Sequence, residues 1–126
     1  HRFNLADGSL IKDNHIQAAG GITAAVTMAR RQAPHTLKIE VEVENLVQVD
    51  EALACGADII MLDNMDQTGI EAAVARIAGR ALVEISGNMG EKNLSALAAT
   101  GIDLISIGAL THTVKALDIS LRFDLA

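Results

Sequence analysis

The sequence predicts an α/β fold of parallel strands alternating with helices, and three observations predict it. Strand-like runs at residues 38–44, 57–62, 81–85 and 104–107 recur regularly, on average about every 22 residues, with helical patterns between them, a β-α-β-α rhythm that gives parallel strands and right-handed crossovers. Two junctions repeat one signature, Cys55-Gly56-Ala57-Asp58-Ile59-Ile60 and Thr100-Gly101-Ile102-Asp103-Leu104-Ile105, each with Gly after a helix and Asp before an apolar strand. Half of the residues are hydrophobic but only 2% are aromatic, with no Trp or Tyr. The core must therefore be aliphatic, as in buried parallel strands covered by helices rich in small residues.

Each element has its own local signal. Residues 9–12 are a short apolar run closed by the polar cluster Lys12-Asp13-Asn14-His15. Gly20-Gly21 breaks the chain, and Thr23 is a candidate cap for a helix over 22–32, where Ile22, Val26 and Ala29 share a face and Pro34 follows. Residues 38–44 read K-I-E-V-E-V-E, the clearest strand alternation in the chain. A helix over 46–55 stops at Gly56, and the strand over 57–62 breaks at Asp63-Asn64. A helix over 68–77 ends near Gly79, and the strand over 81–85 turns at Ser86-Gly87-Asn88. A helix over 91–99 ends at Gly101, and the strand over 104–107 closes at Gly108. In residues 117–123, Leu117, Ile119 and Leu121 alternate with Asp118, Ser120 and Arg122.

At 126 residues the chain has room for one domain at most. A closed eightfold barrel usually takes about 250 residues, with about 200 near the lower limit. The chain is thus expected to be either a small open sheet or part of a barrel. The net charge of −6 argues against a general nucleic-acid binder, which needs a basic face, and leaves a small anionic ligand open. Cys55 lies among apolar residues, which reads as a buried helical thiol without a disulfide or metal-site partner and suggests a reducing, cytoplasmic setting. No apolar run approaches the ~18–20 residues of a membrane span, and no signal-peptide pattern opens the chain.

Ligands of parallel α/β sheets bind beyond the carboxyl ends of the strands. Those positions hold Lys12, Glu42 and Glu44, Asp63-Asn64, Ser86-Gly87 and Gly108. Lys12 and His15, with His1 and Arg2 nearby, form the one concentrated positive cluster: a solvated turn, or a site for a carboxylate or phosphate. Glu40, Glu42 and Glu44 share a strand face. That face is either exposed on an edge strand or buried and in need of cations, donors or a metal. Glu42 with Asp63 offers hard oxygen ligands for sugar hydroxyls or Mg2+. The glycine turns at Ser86-Gly87 and Gly108 each precede a helix and are candidate phosphate cradles, with His112 just beyond the second. No catalytic triad spacing, HExxH motif or P-loop is present.

The segments HRFNLADGSLIKDNHI, EVEVEN, GADIIMLDN, EISGN and TGIDLISIGALTH with ALDISL together resemble the barrel domain of the quinolinate phosphoribosyltransferases, the carboxylating nicotinate-nucleotide pyrophosphorylases. The likeness runs in order from His1 to Phe123. It implies that residues 1–126 are a partial α/β-barrel catalytic domain, the later β-α units of a TIM-like barrel, with an N-terminal domain and early barrel strands outside this sequence.

The resemblance further implies a reaction of NAD biosynthesis. Quinolinate and phosphoribosyl pyrophosphate, with Mg2+, give nicotinate mononucleotide, pyrophosphate and carbon dioxide. By the same likeness His1, Arg2 and Lys12 match positions that bind the quinolinate carboxylates. Glu42 and Asp63 match those facing the ribose hydroxyls and the metal, directly or through water. Ser86, Gly87 and Gly108 match the phosphate loops, and His112 a histidine of that region. Lys12, Glu42 and Asp63 are the expected catalytic residues. The family implies a homodimer whose site is completed by an upstream Thr-Arg-Lys-type motif and a partner's arginine, so the 126 residues alone are expected to be inactive. The competing readings are a molybdenum-transport-associated barrel homologue with another substrate and a non-catalytic barrel domain.

Overall fold

The structure, a computed structural model, describes residues 4, 6–87 and 94–124. Its elements follow in the order β1 (Ser9–Ile11), α1 (Asp13–Ala19), α2 (Ile22–Gln32), β2 (Ile39–Val43), α3 (Leu46–Ala54), β3 (Ile59–Asp63), α4 (Gln67–Ile77), β4 (Leu82–Ser86), α5 (Leu94–Ala98), β5 (Leu104–Ile105) and α6 (Ala109–His112). The strands form one five-stranded sheet in the order β1-β2-β3-β4-β5, parallel throughout. A doubly wound sheet reverses its strand order at a switch point. This one does not reverse, and each strand lies beside its predecessor, as in the wall of an α/β barrel.

The register divides the side chains between two faces, because residues paired in a sheet point the same way. Ile11, Val41, Ile60 and Val83 form one row, and Val43, Leu62 and Ile85 the next. These rows pack with Ile22 and Val26 of α2, Val49 and Ala52 of α3, and Ile70, Ala73 and Ile77 of α4 in one aliphatic core. The opposite face carries Glu40 and Ile59, then Glu42, Met61, Glu84 and Leu104, then Asp63 and Ser86. One face is thus oily and covered by helices, and the other is lined with carboxylates. The sheet's inner face is the one available to chemistry.

The repeated Gly-X-Asp signature acquires a physical role here. The Asp58 carboxylate accepts from the backbone N–H of Ile39 at 2.8 Å, and Asp103 accepts from that of Val83 at 2.8 Å. In both cases the aspartate's own N–H donates to the carbonyl of the same residue, at 2.9 Å. Each Asp therefore satisfies a backbone donor at the start of the preceding strand, where the sheet ladder has no partner for it. Arg30 of α2 adds a 2.9 Å ion pair to Asp58 and donates to the Gly56 carbonyl at 2.6 Å, tying a helix to the base of the sheet.

Several local expectations are corrected. The segment after Lys12 is a helix, α1, and not only a polar turn. It buries no residue and so leaves no apolar period to read. His15 belongs to its cap: Nδ1 accepts the Lys12 backbone N–H at 3.0 Å. Thr23 does not cap α2, whose N-cap is Gly21. Its N–H and hydroxyl donate instead to Glu51 of α3, at 2.9 and 3.0 Å. Asn45 and Asp66 cap α3 and α4 through the Gln48 and Gly69 N–H groups, at 3.0 and 2.7 Å. Strand β5 is shorter than its apolar run. Cys55 is half-buried at the end of α3 with its thiol donating to the Ala52 carbonyl, and burial raises its pKa. The first residues of the helix expected over 91–99 lie outside the described residues, and 94–98 are helical. The alternating segment 117–123 is exposed, with Leu117, Ile119, Leu121 and Phe123 about four-fifths accessible. Among the described residues no helix is long and apolar enough to cross a membrane.

Candidate active site

Because all strands run one way, their carboxyl ends share one edge, where Lys12, Glu42, Asp63 and Ser86 meet. Ile11 pairs with Val41, so the next residue, Lys12, falls beside Glu42. The two side chains form an ion pair at 2.9 Å, with Lys12 half-exposed and the Glu42 side chain only 10% exposed. The edge-strand reading of the glutamate row therefore fails: β2 lies between β1 and β3, and Glu40 is buried. Only Glu44, beyond the strand, is solvated.

The Lys12 ammonium is held above the usual lysine pKa. Its hydrogen bond to Glu42 is the largest cause, partial burial opposes it, and the charges of Glu42, Asp63 and Asp13 add to it. Asp63 is therefore within electrostatic reach of the Lys12 ammonium, which bonds Glu42 directly. Asp63 pairs in register with Ser86, and its Oδ2 accepts from the Asn64 amide at 2.8 Å. A cleft of about 180 Å³ opens beside Glu42, bounded by Asp13, Ile16, Gln17, Glu44 and Gln48.

The glycine turns have structural reasons of their own. Gly87 has φ +106°, and a β-carbon there would collide with the Asn64 amide oxygen and crowd its Cγ at 3.0 Å and its backbone nitrogen at 3.2 Å. Gly108 has an ordinary helical φ of −59°. A β-carbon there would meet His112 Nε2 at 2.6 Å, so the imidazole folds back over the glycine. Gly108 and His112 follow β5 on the same edge as the carboxylates. His1 and Arg2 lie outside the described residues.

Two features went unassigned in the sequence. Glu84, 1% exposed, accepts a short hydrogen bond from the Ser106 hydroxyl, joining β4 to the residues after β5 on the inner face. Its signal was its spacing, two residues before Ser86 and hence on the same strand face. Asn64 was legible as a strand-end position beside Asp63, without a role of its own. Its positive φ of 53° and its bond to Asp63 needed coordinates.

The model of the quinolinate phosphoribosyl transferase C-terminal domain matches residues 1–122. A probable carboxylating nicotinate-nucleotide pyrophosphorylase of Bacillus subtilis is 44% identical over 126 residues, all of this chain and 44% of that protein. The carboxylating nicotinate-nucleotide pyrophosphorylase of Mycobacterium leprae is 44% identical over 96% of this chain and 43% of its own length. Among solved structures, NadC from Streptococcus pyogenes superposes with a TM-score of 0.85 at 48% identity, over 98% of this chain and 43% of that one. The Francisella tularensis nicotinate-nucleotide pyrophosphorylase gives 0.84 at 46% identity, over 95% and 42%. The chain thus spans less than half the length of the relatives it matches. With carboxylates along the inner face of one singly wound sheet and a family match over residues 1–122, the chain belongs to the quinolinate phosphoribosyl transferase C-terminal domain family.

Proposed function

We propose that the protein containing this chain transfers a phosphoribosyl group from phosphoribosyl pyrophosphate to quinolinate with loss of carbon dioxide, giving nicotinate mononucleotide and pyrophosphate for NAD biosynthesis. The observation that carries this reading is the meeting of Lys12, Glu42 and Asp63 on one rim, beside Ser86, in a chain whose relatives are named for this product.

The quinolinate nitrogen forms a bond to the anomeric carbon of the ribose as the carbon–oxygen bond to pyrophosphate breaks. The sugar develops oxocarbenium character, which carboxylates nearby stabilise. Glu42 and Asp63 serve there and accept hydrogen bonds from the ribose hydroxyls. Ribosylation leaves a positive ring nitrogen. When the adjacent carboxylate departs as carbon dioxide, the electron pair left on the ring carbon is stabilised by that charge and then takes a proton. Lys12, with His1 and Arg2, binds the dianionic substrate through charge-assisted hydrogen bonds. Ser86, Gly87 and Gly108 receive phosphate, with His112 beside them. Positioning carries much of such a reaction.

Mg2+ fits the chemistry of this donor set. Glu42 and Asp63 offer hard oxygens, which the ion prefers. An ion that keeps several waters and takes further ligands from substrate phosphate needs only one or two protein carboxylates. Bound there, it would neutralise charge on the leaving pyrophosphate. A homodimer and a cytoplasmic location belong to the same reading, the latter supported only by the lone half-buried Cys55 thiol.

The test is product formation by the full-length protein with both substrates and Mg2+, followed chromatographically, beside the Lys12→Met, Glu42→Gln and Asp63→Asn variants. Nicotinate mononucleotide from the wild type, and large losses in all three variants, is the expected result. An unreactive wild type, or variants with undiminished turnover, would overturn the reading.

A further inference from the structure

We propose that Asn64 is a positioning residue that aims the Asp63 carboxylate at the ribose hydroxyls. The proposal rests on the functional reading above and adds a residue to which no role was given.

Consecutive side chains of a strand point to opposite faces, so Asp63 and Asn64 should not touch. They do, because Asn64 leaves the strand in the left-handed region at φ 53°, a conformation Asn tolerates better than most residues. That turn swings its side chain back to the Asp63 side, where the amide nitrogen donates to Asp63 Oδ2 at 2.8 Å. The opposite amide orientation would set its oxygen against the carboxylate, so this contact itself assigns the amide. The backbone N–H of Asn64 donates to the Ser86 carbonyl at 3.2 Å, anchoring the turn to the next strand. Gly87 closes the clamp from the other side, since any β-carbon there would collide with the Asn64 amide. The side chain is thus held between Gly87 and Asp63 although its residue is solvent-exposed. A carboxylate fixed through one oxygen still has acceptor capacity on both, and its orientation is set before substrate arrives. Such preorganisation is what a ribose-binding carboxylate needs.

The full-length protein carrying Asn64→Gly, Asn64→Asp, Asp63→Asn, or Asp63→Asn with Asn64→Gly tests this. Asn64→Gly keeps the left-handed backbone and removes only the amide, whereas Asn64→Asp keeps the shape and turns the donor into an acceptor. Calorimetric titration with phosphoribosyl pyrophosphate and with quinolinate, together with KM and kcat, gives the readout. Asn64→Gly is expected to weaken phosphoribosyl pyrophosphate binding about tenfold and Asn64→Asp more, with quinolinate affinity unchanged. In the Asp63→Asn background Asn64→Gly should add almost nothing, because it acts through Asp63.

A residue that merely shapes the turn would leave Asn64→Gly with wild-type affinity, and that result overturns the proposal. So do independent, additive effects in the double variant. If Asp63→Asn itself leaves binding intact, the ribose reading of Asp63 falls first, which separates the two failures. Should Asn64→Gly fail to fold, Asn64→Asp carries the same comparison: wild-type affinity in it also refutes the role.

Discussion

Breaking the Lys12–Glu42 ion pair from its two ends should have unequal consequences. At 2.9 Å and an effective dielectric constant of about 20, the gross attraction is roughly 6 kcal/mol. Desolvation of the carboxylate and screening of the half-exposed ammonium cancel most of it, leaving a net contribution of about 1 kcal/mol. Glu42→Gln leaves a lysine that is 50% exposed and that water can solvate, so its cost should stay near ~1 kcal/mol or below. Lys12→Met leaves a carboxylate whose side chain is 10% exposed, facing the charge of Asp63 without its ammonium. That residual burial should cost about 2–3 kcal/mol. Urea unfolding of the full-length variants by far-UV circular dichroism at neutral pH ranks them, provided the slopes agree. Equal losses, or a larger loss for Glu42→Gln, would refute the burial asymmetry on which the reasoning stands.

The Lys12 pKa is raised by its partner, so the pair's contribution is fully present below the ordinary value of 10.5 and lost as pH rises through the higher folded value. The stability gap between wild type and Lys12→Met, measured by urea unfolding across pH, should therefore stay constant from neutrality to about 10 and narrow above it. Asp58→Ala should cost about 2 kcal/mol by stranding the buried Ile39 N–H, and Asp103→Ala a similar amount through Val83. Denaturant midpoints near wild type in both would show that these carboxylates are not needed at the strand starts. Gly87→Ala should lose about 2 kcal/mol from its positive φ and its collision with Asn64 and should also weaken phosphoribosyl pyrophosphate binding in a titration. Unchanged affinity would mean that the Gly87–Asn64 contact does not hold the site.

The parallel α/β plan and the strand-end positions were legible in the residues alone. Helix and strand periods are local properties, and a regular spacing of strands leaves few topologies once crossovers are right-handed. Lys12, Glu42, Asp63 and Ser86 were legible for the same reason: in any such sheet the strand ends gather on one edge. The motif order added the family. Pairing was not legible. K-I-E-V-E-V-E is compatible with a solvated edge or a buried interior strand, and only the seating of β2 between β1 and β3 puts its glutamates inside. Likewise nothing local says that Asp58 serves Ile39, that Glu51 rather than Thr23 satisfies the start of α2, or that His15 caps the helix it sits in. Each is a contact chosen by three-dimensional proximity, between groups whose chain separation carries no signal. The clearest instance is at the site itself, where a left-handed backbone at Asn64 turns its amide back onto Asp63 and against Gly87.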